Sequence, residues 1–345
     1  METSLILADK RLAIALCSAA EAETVHQAQD QCIHFFDVET PAGSSILFSP
    51  ASFLDIRAFG CVMERAFASN PSKMVGACLA REDQQTVTLF AQLMGGFMIL
   101  YLDLDLEEVV RRFEPWVPRF VSFADASKEG RVHNSFCVQD CWRACARARA
   151  KGWLDFTCSA SSSADAMSLG FLNLDRDAHY SQEINGGACV VVPGKLIVIP
   201  RPDALPPGCA WCDGQGGARQ FSVDFYGPLL HDEFQVSTVV CLEDLLGAPY
   251  NKSAFASYGI RTYDLGLNNS GLLKALDRFL AITEAAPGCV AIHGASQELG
   301  LLGAFVVLYL TQKHRFDAMC ALAWIRMVCP KLLVPSHVSH LGDGA

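Results

Sequence analysis

The sequence predicts an α/β layer structure built as two similar domains. Three observations point there. In the second half, short apolar strand patterns alternate with helical ones, the order that builds a sheet covered by helices. The segment Gly95-Gly96-Phe97-Met98-Ile99-Leu100-Tyr101-Leu102 returns position by position as Gly303-Ala304-Phe305-Val306-Val307-Leu308-Tyr309-Leu310, 208 positions further on. Each copy is followed by a second amphipathic helix, Leu106 to Phe113 and Asp317 to Val328. That spacing is far too long for a solenoid and marks two domains. Third, the apolar strand Val290 to Ile292 runs through a loop into an apolar helix from Leu301 to Leu310, the setting of a phosphate-binding loop.

Between the halves a helix is expected from Ser135 to Lys151. Asn134 serves as its N-cap and Gly152 as its stop, and Arg147, Arg149 and Lys151 lie near the negative end of the helix dipole. Cys137, Cys141 and Cys145 share one face of it. They read as a small-residue packing stripe, because a thiolate zinc site needs four ligands and no second cluster lies nearby. Ser159 to Ala164 is a polar loop. Ala188 to Val192 and Lys195 to Ile199 are strands joined by the Pro193-Gly194 turn, and Pro206-Pro207-Gly208 and Gly214 to Gly217 are surface loops. Val236 to Leu242, mostly apolar and β-branched, has the pattern of a strand buried on both faces. Ile260 to Leu265 and Cys289 to Ile292 are further strands, with helices at Asn251 to Ser257, Leu272 to Ile282 and Leu301 to Gln312.

Composition bounds the function. The 345 residues suffice for two domains, and 51% hydrophobic with 19% charged residues suits large cores. A net charge of −10 argues against nonspecific nucleic-acid binding. The two apolar runs, at Leu93 to Leu102 and Leu299 to Leu310, fall short of the roughly 20 residues of a spanning helix and read as buried core helices, so no membrane role is expected. Fifteen scattered cysteines, an odd number, with Glu2, Asp9, Lys10 and Arg11 breaking any secretory apolar run, imply buried free thiols in a reducing compartment. Cys209-Ala210-Trp211-Cys212 is a lone C-x-x-C, lacking both a second pair for zinc and the strand-to-helix setting of a redox motif. No cofactor and no metal are expected.

Several segments resemble, in order, the cell-division-cycle-fourteen family of dual-specificity protein phosphatases. Phe123-Ala124-Asp125-Ala126-Ser127 resembles the family's Phe-Arg-Asp-Ala-Ser. Gln139-Asp140-Cys141 and Lys151-Gly152-Trp153-Leu154-Asp155-Phe156 look like its linker helix and exit, and Val192-Pro193-Gly194-Lys195 like its entrance to the catalytic domain. Tyr263-Asp264-Leu265 resembles the strand before the general-acid loop. Arg315-Phe316 and Ala323-Trp324-Ile325-Arg326 resemble the helix pair after the signature loop. The resemblance implies tandem protein-tyrosine-phosphatase-like domains joined by a linker helix, only the second of them catalytic. The expected plan is a non-catalytic domain over 1–130, a linker helix and loop over 131–187, and a tyrosine-phosphatase-like domain over 188–345.

Such phosphatases need a cysteine thiolate to attack phosphorus, an arginine fork to hold the phosphoryl oxygens and an aspartic acid to protonate the leaving oxygen. The family's signature junction reads His-Cys, five residues, Arg, Thr-Gly. Here His293 and Gly303 are kept, but Gly294 stands at the Cys position and Leu301 at the Arg position. Glu298 lies in the loop, where a carboxylate repels phosphate. The acid loop reads Gly266-Leu267-Asn268-Asn269-Ser270 with no acid, and the family's water-positioning glutamine region reads Pro335-Ser336-His337. Cys289 lies roughly 15 Å from Gly294 at strand rise. Ser296 beside His293 has no orienting acid.

The expected function is therefore a catalytically inactive pseudophosphatase that binds other proteins, inside the cell in cytoplasm or nucleus, with weak or absent phosphate binding. The alternative is an active dual-specificity phosphatase with a displaced nucleophile. A redox or zinc module at Cys209 and Cys212 is a third reading. The Ser159–Ser163 and Gly214–Gly217 loops are candidate partner surfaces or plain solvated insertions.

Overall fold

The computed structural model describes residues 5–9, 12–17, 33–36, 48–80, 83–126, 132–154, 156, 171–214, 218–243, 250–266, 272–294, 299–332 and 334. It divides into two compact units, Met1–Ala150 and Lys151–Ala345.

The first unit is built on a sheet of four strands, β1 (Leu5–Asp9), β2 (Leu12–Cys17), β3 (Ile33–Phe36) and β4 (Met74–Ala80), in the order β1-β2-β4-β3. β1 and β2 are antiparallel, and β4 runs parallel to both β2 and β3. Helix α1 (Phe53–Ser69) starts at a capping box in which Ser52 and Asp55 satisfy each other's backbone N–H groups. Helix α2 (Gln84–Leu100) follows β4 and carries the first copy of the repeat. Nearly every residue from Val87 to Ile99 is buried, as expected of a helix apolar all round. The buried Gln92 amide clamps it to the entry of α1, accepting from Ala51 N at 2.8 Å and donating to Ala51 O at 2.9 Å. Helix α3 (Leu106–Phe113) comes next.

The expected helix from Ser135 is shorter in the structure. Val132–Phe136 is instead strand β6, paired antiparallel with β5 (Phe123–Ala126), and α4 spans Val138–Ala150. Asn134 is thus a strand residue rather than an N-cap. Asp140 turns back to accept from Cys137 N at 2.7 Å, which ends the strand and opens the helix. Cys141 and Cys145 are buried and Cys137 donates to Asp140 at 3.0 Å, so the cysteine stripe faces packing and a carboxylate. Burial pushes the Cys145 thiol up to about 12. Trp142 of α4 reaches into α2, donating from Nε1 to Ala91 O at 3.1 Å. The helix expected to join the halves is therefore packed within the first unit.

The second unit opens with α5 (Leu174–Ser181). Its sheet contains β7 (Cys189–Val192), β8 (Leu196–Val198), β11 (Val236–Glu243), β12 (Arg261–Gly266) and β13 (Cys289–Gly294), ordered β12-β11-β13-β8-β7. β7 is antiparallel to β8 and the other neighbours are parallel. A separate hairpin, β9 (Trp211–Asp213) and β10 (Arg219–Phe221), is followed by the short helix α6 (Val223–Pro228). Lys252–Tyr258, expected as an ordinary helix, is a tighter 3-10 segment that ends at Gly259 with φ of 74°. Helices α7 (Leu272–Ala285), α8 (Leu299–His314) and α9 (Ala318–Val328) complete it, with Asp317 as the N-cap of α9.

The two units share a plan. Each sheet has an antiparallel edge hairpin, β1–β2 or β7–β8, whose second strand lies parallel to a central strand, β4 or β13. Each central strand has a further parallel neighbour, β3 or β11. Each is followed by the repeat helix, α2 or α8, and then by a shorter one. The sequence repeat therefore marks equivalent places in two tandem mixed α/β units. The second adds strand β12.

Segments far apart in sequence meet in the second core. Trp324 Nε1 donates to Val191 O at 2.8 Å and ties α9 to β7. Trp153 packs on Trp324 at 5.1 Å and on Phe316 at 5.7 Å between ring centroids.

Candidate functional site

β13 is buried at all six positions, which explains its near-continuous apolar run. Its carboxyl end carries His293 and Gly294, the edge of an α/β sheet where ligands usually sit. Helix α8 begins at Leu299, two residues before the expected start, so Leu301 lies in its first turn and is half-buried, while Gly303 is buried. Glu298 and Ser296 in the loop, Asn268 and Asn269 of the acid loop, and Ser336 and His337 lie outside the described residues. So do the Ser159–Ser163 loop and most of the Gly214–Gly217 loop.

His293 is fully buried and shares a 2.7 Å hydrogen bond with Tyr250 Oη through Nε2. Cys241 Sγ, on the β11 residue paired with His293, lies 3.4 Å from the same hydroxyl. Nδ1 of His293 has no hydrogen-bond partner among the described residues. Burial, followed by the charges of Lys252 and Arg201, pushes the imidazole pKa down to about 3, so the ring is neutral at physiological pH. Arg201, just beyond β8, lies over the Tyr250 ring at 5.9 Å, and Lys252 pairs with Asp264 of β12 at 2.7 Å. Tyr250, Cys241, Arg201 and Lys252 had no place in the sequence reading. They come from three separate segments, and no local spacing announces such a cluster.

Among the described residues, Gly294 rather than a thiol closes β13. Cys289 opens β13 and Gly294 closes it, so the thiol sits at the opposite end of the strand. It is buried, and desolvation pushes it up to about 11, away from a reactive thiolate. Cys241 is fully buried beneath Tyr250. Lys252 pairs with Asp264, the β12 residue level with Cys241 and His293, and belongs to the 3-10 segment rather than to the first turn of α8.

The equivalent junction of the first unit is closed differently. β4 ends at Ala80 and α2 starts at Gln84, with Asp83 as N-cap. Asp83 accepts from Thr86 Oγ1 at 2.6 Å and Thr86 N at 3.0 Å, and these bonds hold its carboxyl below the usual range. A fixed carboxylate at that helix N-terminus occupies the place an anion would take.

The C-x-x-C pair does not converge. Trp211 pairs with Phe221 and Ser222 N donates to Ala210 O at 2.9 Å, so the chain between the cysteines is extended. Cys209 donates to Trp211 O at 3.4 Å and Cys212 to Gln220 Oε1 at 3.6 Å, separate partners for the two thiols. Among the described residues no group of three or more His, Cys, Asp or Glu is placed to hold a metal, and no helix is long and apolar enough to cross a membrane.

No protein-family model matches the chain. It is similar to the dual specificity protein phosphatase CDC14C of Symphalangus syndactylus, 26% identical over 254 residues, 73% of this chain and 47% of that protein. It is similar to CDC14AB of Danio rerio, 27% identical over 266 residues, 76% of this chain and 39% of that protein. To CDC14A of Homo sapiens it is 25% identical over 255 residues, 73% of this chain and 39% of that protein. The chain thus spans about half or less of the length of these relatives. Among solved structures, the crystal structure of PTPMT1 matches with a TM-score of 0.33 and 15% identity over 45% of this chain and 91% of that chain. A protein tyrosine phosphatase (putative) from Leishmania major matches with a TM-score of 0.32 and 16% identity over 44% of this chain and 87% of that chain. The chain is thus CDC14-like: its similarity to these dual-specificity phosphatases runs over about three quarters of its length, at 25–27% identity.

Proposed function

We propose that the chain is a pseudophosphatase: a CDC14-like fold that does not turn over phosphate esters and acts by binding other proteins inside the cell, in cytoplasm or nucleus. In this reading residues 1–130 form the non-catalytic domain with α4 packed on it, the segment after α4 to residue 187 is the link, and 188–345 are the degenerate catalytic domain. The observation that carries it is the carboxyl end of β13. Gly294 follows His293 where an attacking thiol is required, Leu301 stands in the first turn of α8 in place of a guanidinium, and Cys289 is buried at the far end of the strand. Losing a nucleophile alone costs on the order of 10^6 in rate in other hydrolases, and effects within one catalytic unit do not add. The rate therefore falls below useful turnover.

The same residues argue that phosphate is held weakly or not at all. An anion clamp needs convergent donors, and Leu301 supplies none. A phosphoserine-proline peptide and its unphosphorylated twin are expected to give the same heats in titration calorimetry. A micromolar dissociation constant for the phosphorylated form alone would overturn this part of the reading.

A further inference from the structure

β12 is the last strand of its sheet. β11 lies on one side of it, and no strand lies on the other among the described residues. An open groove of about 490 Å³ runs there, lined by Ala256, Gly259, Ile260, Arg261, Thr262 and Tyr263. Gly259, at φ 74°, turns the 3-10 segment into the strand, and a Cβ placed on it would meet nothing within 4 Å.

We infer that this edge receives an extended, acidic segment of a partner protein as an added strand. An unpaired edge offers a row of backbone donors and acceptors that a second chain can complete. The side chains select the chemistry of that chain. Arg261 is exposed and is the one charged residue lining the groove among the described residues. Asp264, further along the strand, is neutralised by Lys252 at 2.7 Å. The edge is thus locally positive on a chain of net charge −10, and the complementary occupant is acidic. Opposite charges across paired strands stabilise them, whereas like charges destabilise. A second copy of this chain, itself acidic overall, is the poorer fit.

The inference deepens the binding role proposed above by naming a partner class and rests on that reading, but it uses the sheet edge two strands away from β13, so turnover plays no part in its test. The probe is a fluorescein-labelled octapeptide alternating Glu and Val, titrated into the full chain and followed by anisotropy, beside its Lys-Val counterpart. The Glu-Val peptide is expected to bind saturably and to weaken as salt rises, and the Lys-Val peptide not to bind. Arg261→Glu, an exposed change checked for folding by circular dichroism, should weaken binding by about fivefold. Methylating alternate backbone nitrogens of the peptide should cost about tenfold in one of the two registers, because that register points its N–H groups at β12. Equal binding of acidic and basic peptides, indifference to Arg261→Glu, or full binding by both methylated peptides overturns the inference.

Discussion

Replacing Gly95 with valine is expected to destabilise the first unit by about 2–4 kcal/mol. Helix α2 passes so close to α4 that a Cβ on Gly95 would lie 2.1 Å from Trp142 Nε1 and 2.4 Å from its Cε2. The indole cannot step aside. It is fully buried, bonded to Ala91 O at 3.1 Å and packed on Phe113 at 5.0 Å between ring centroids. Over-packing a rigid core costs about 1–3 kcal/mol, and losing the indole hydrogen bond adds about 1 kcal/mol. The neighbouring Gly96 is the control. A Cβ there would meet the Ile56 side chain, nearest at Cδ1 at 3.0 Å, and alanine brings a helix-entropy gain of about 0.5–1 kcal/mol. Gly96→Ala should stay within about 1 kcal/mol of the parent in urea unfolding followed by tryptophan fluorescence, while Gly95→Val loses the first transition.

Acid is expected to unfold the second unit through His293. Its pKa is about 3 in the folded chain against 6.5 for an unperturbed imidazole. Between those values the unfolded chain binds a proton that the folded chain refuses, so stability rises with pH. The contribution is complete above about pH 6.5, is lost as pH falls from 6.5 toward 3, and changes no further below that. At 1.36 kcal/mol per unit it amounts to about 5 kcal/mol at most. His314, pushed down to about 4 chiefly by burial, acts in the same direction. Asp177, pushed up to about 6 by burial against the pull of Arg176, acts in the opposite one. His293→Phe keeps an aromatic ring but removes the hydrogen bond between Nε2 and the Tyr250 hydroxyl, which costs about 1 kcal/mol near neutrality. Its stability should then vary much less between pH 6.5 and 4 in denaturant titrations at stepped pH, and an unchanged slope would remove His293 as the source.

The sequence made some of this legible. The strands of the second sheet followed from β-branched runs, and the matching helices α2 and α8 followed from an eight-residue repeat that the topology places at equivalent positions. The strands of the first sheet did not stand out. β4 reads Met74-Val75-Gly76-Ala77-Cys78-Leu79-Ala80, with glycine and small residues in place of an alternating pattern. The start of α4 was set too early because Val132–Phe136 is captured by β5, a tertiary pairing that local capping signals do not report. At the site, Gly294 and Leu301 were legible because flanking segments fixed their register. The Tyr250–His293 bond and the Arg201 and Lys252 charges were not, since they depend on which strand ends the sheet brings side by side.

The central claim is that the fold persists without its chemistry, and steady-state hydrolysis of an aryl phosphate by the purified chain tests it most directly, with Cys289→Ser and Cys241→Ser measured alongside. The expected result is release of phenol no faster than in a protein-free blank, the same for all three proteins and unaffected by vanadate. Turnover above the blank that vanadate inhibits and that either cysteine variant abolishes would contradict the account and establish a displaced nucleophile.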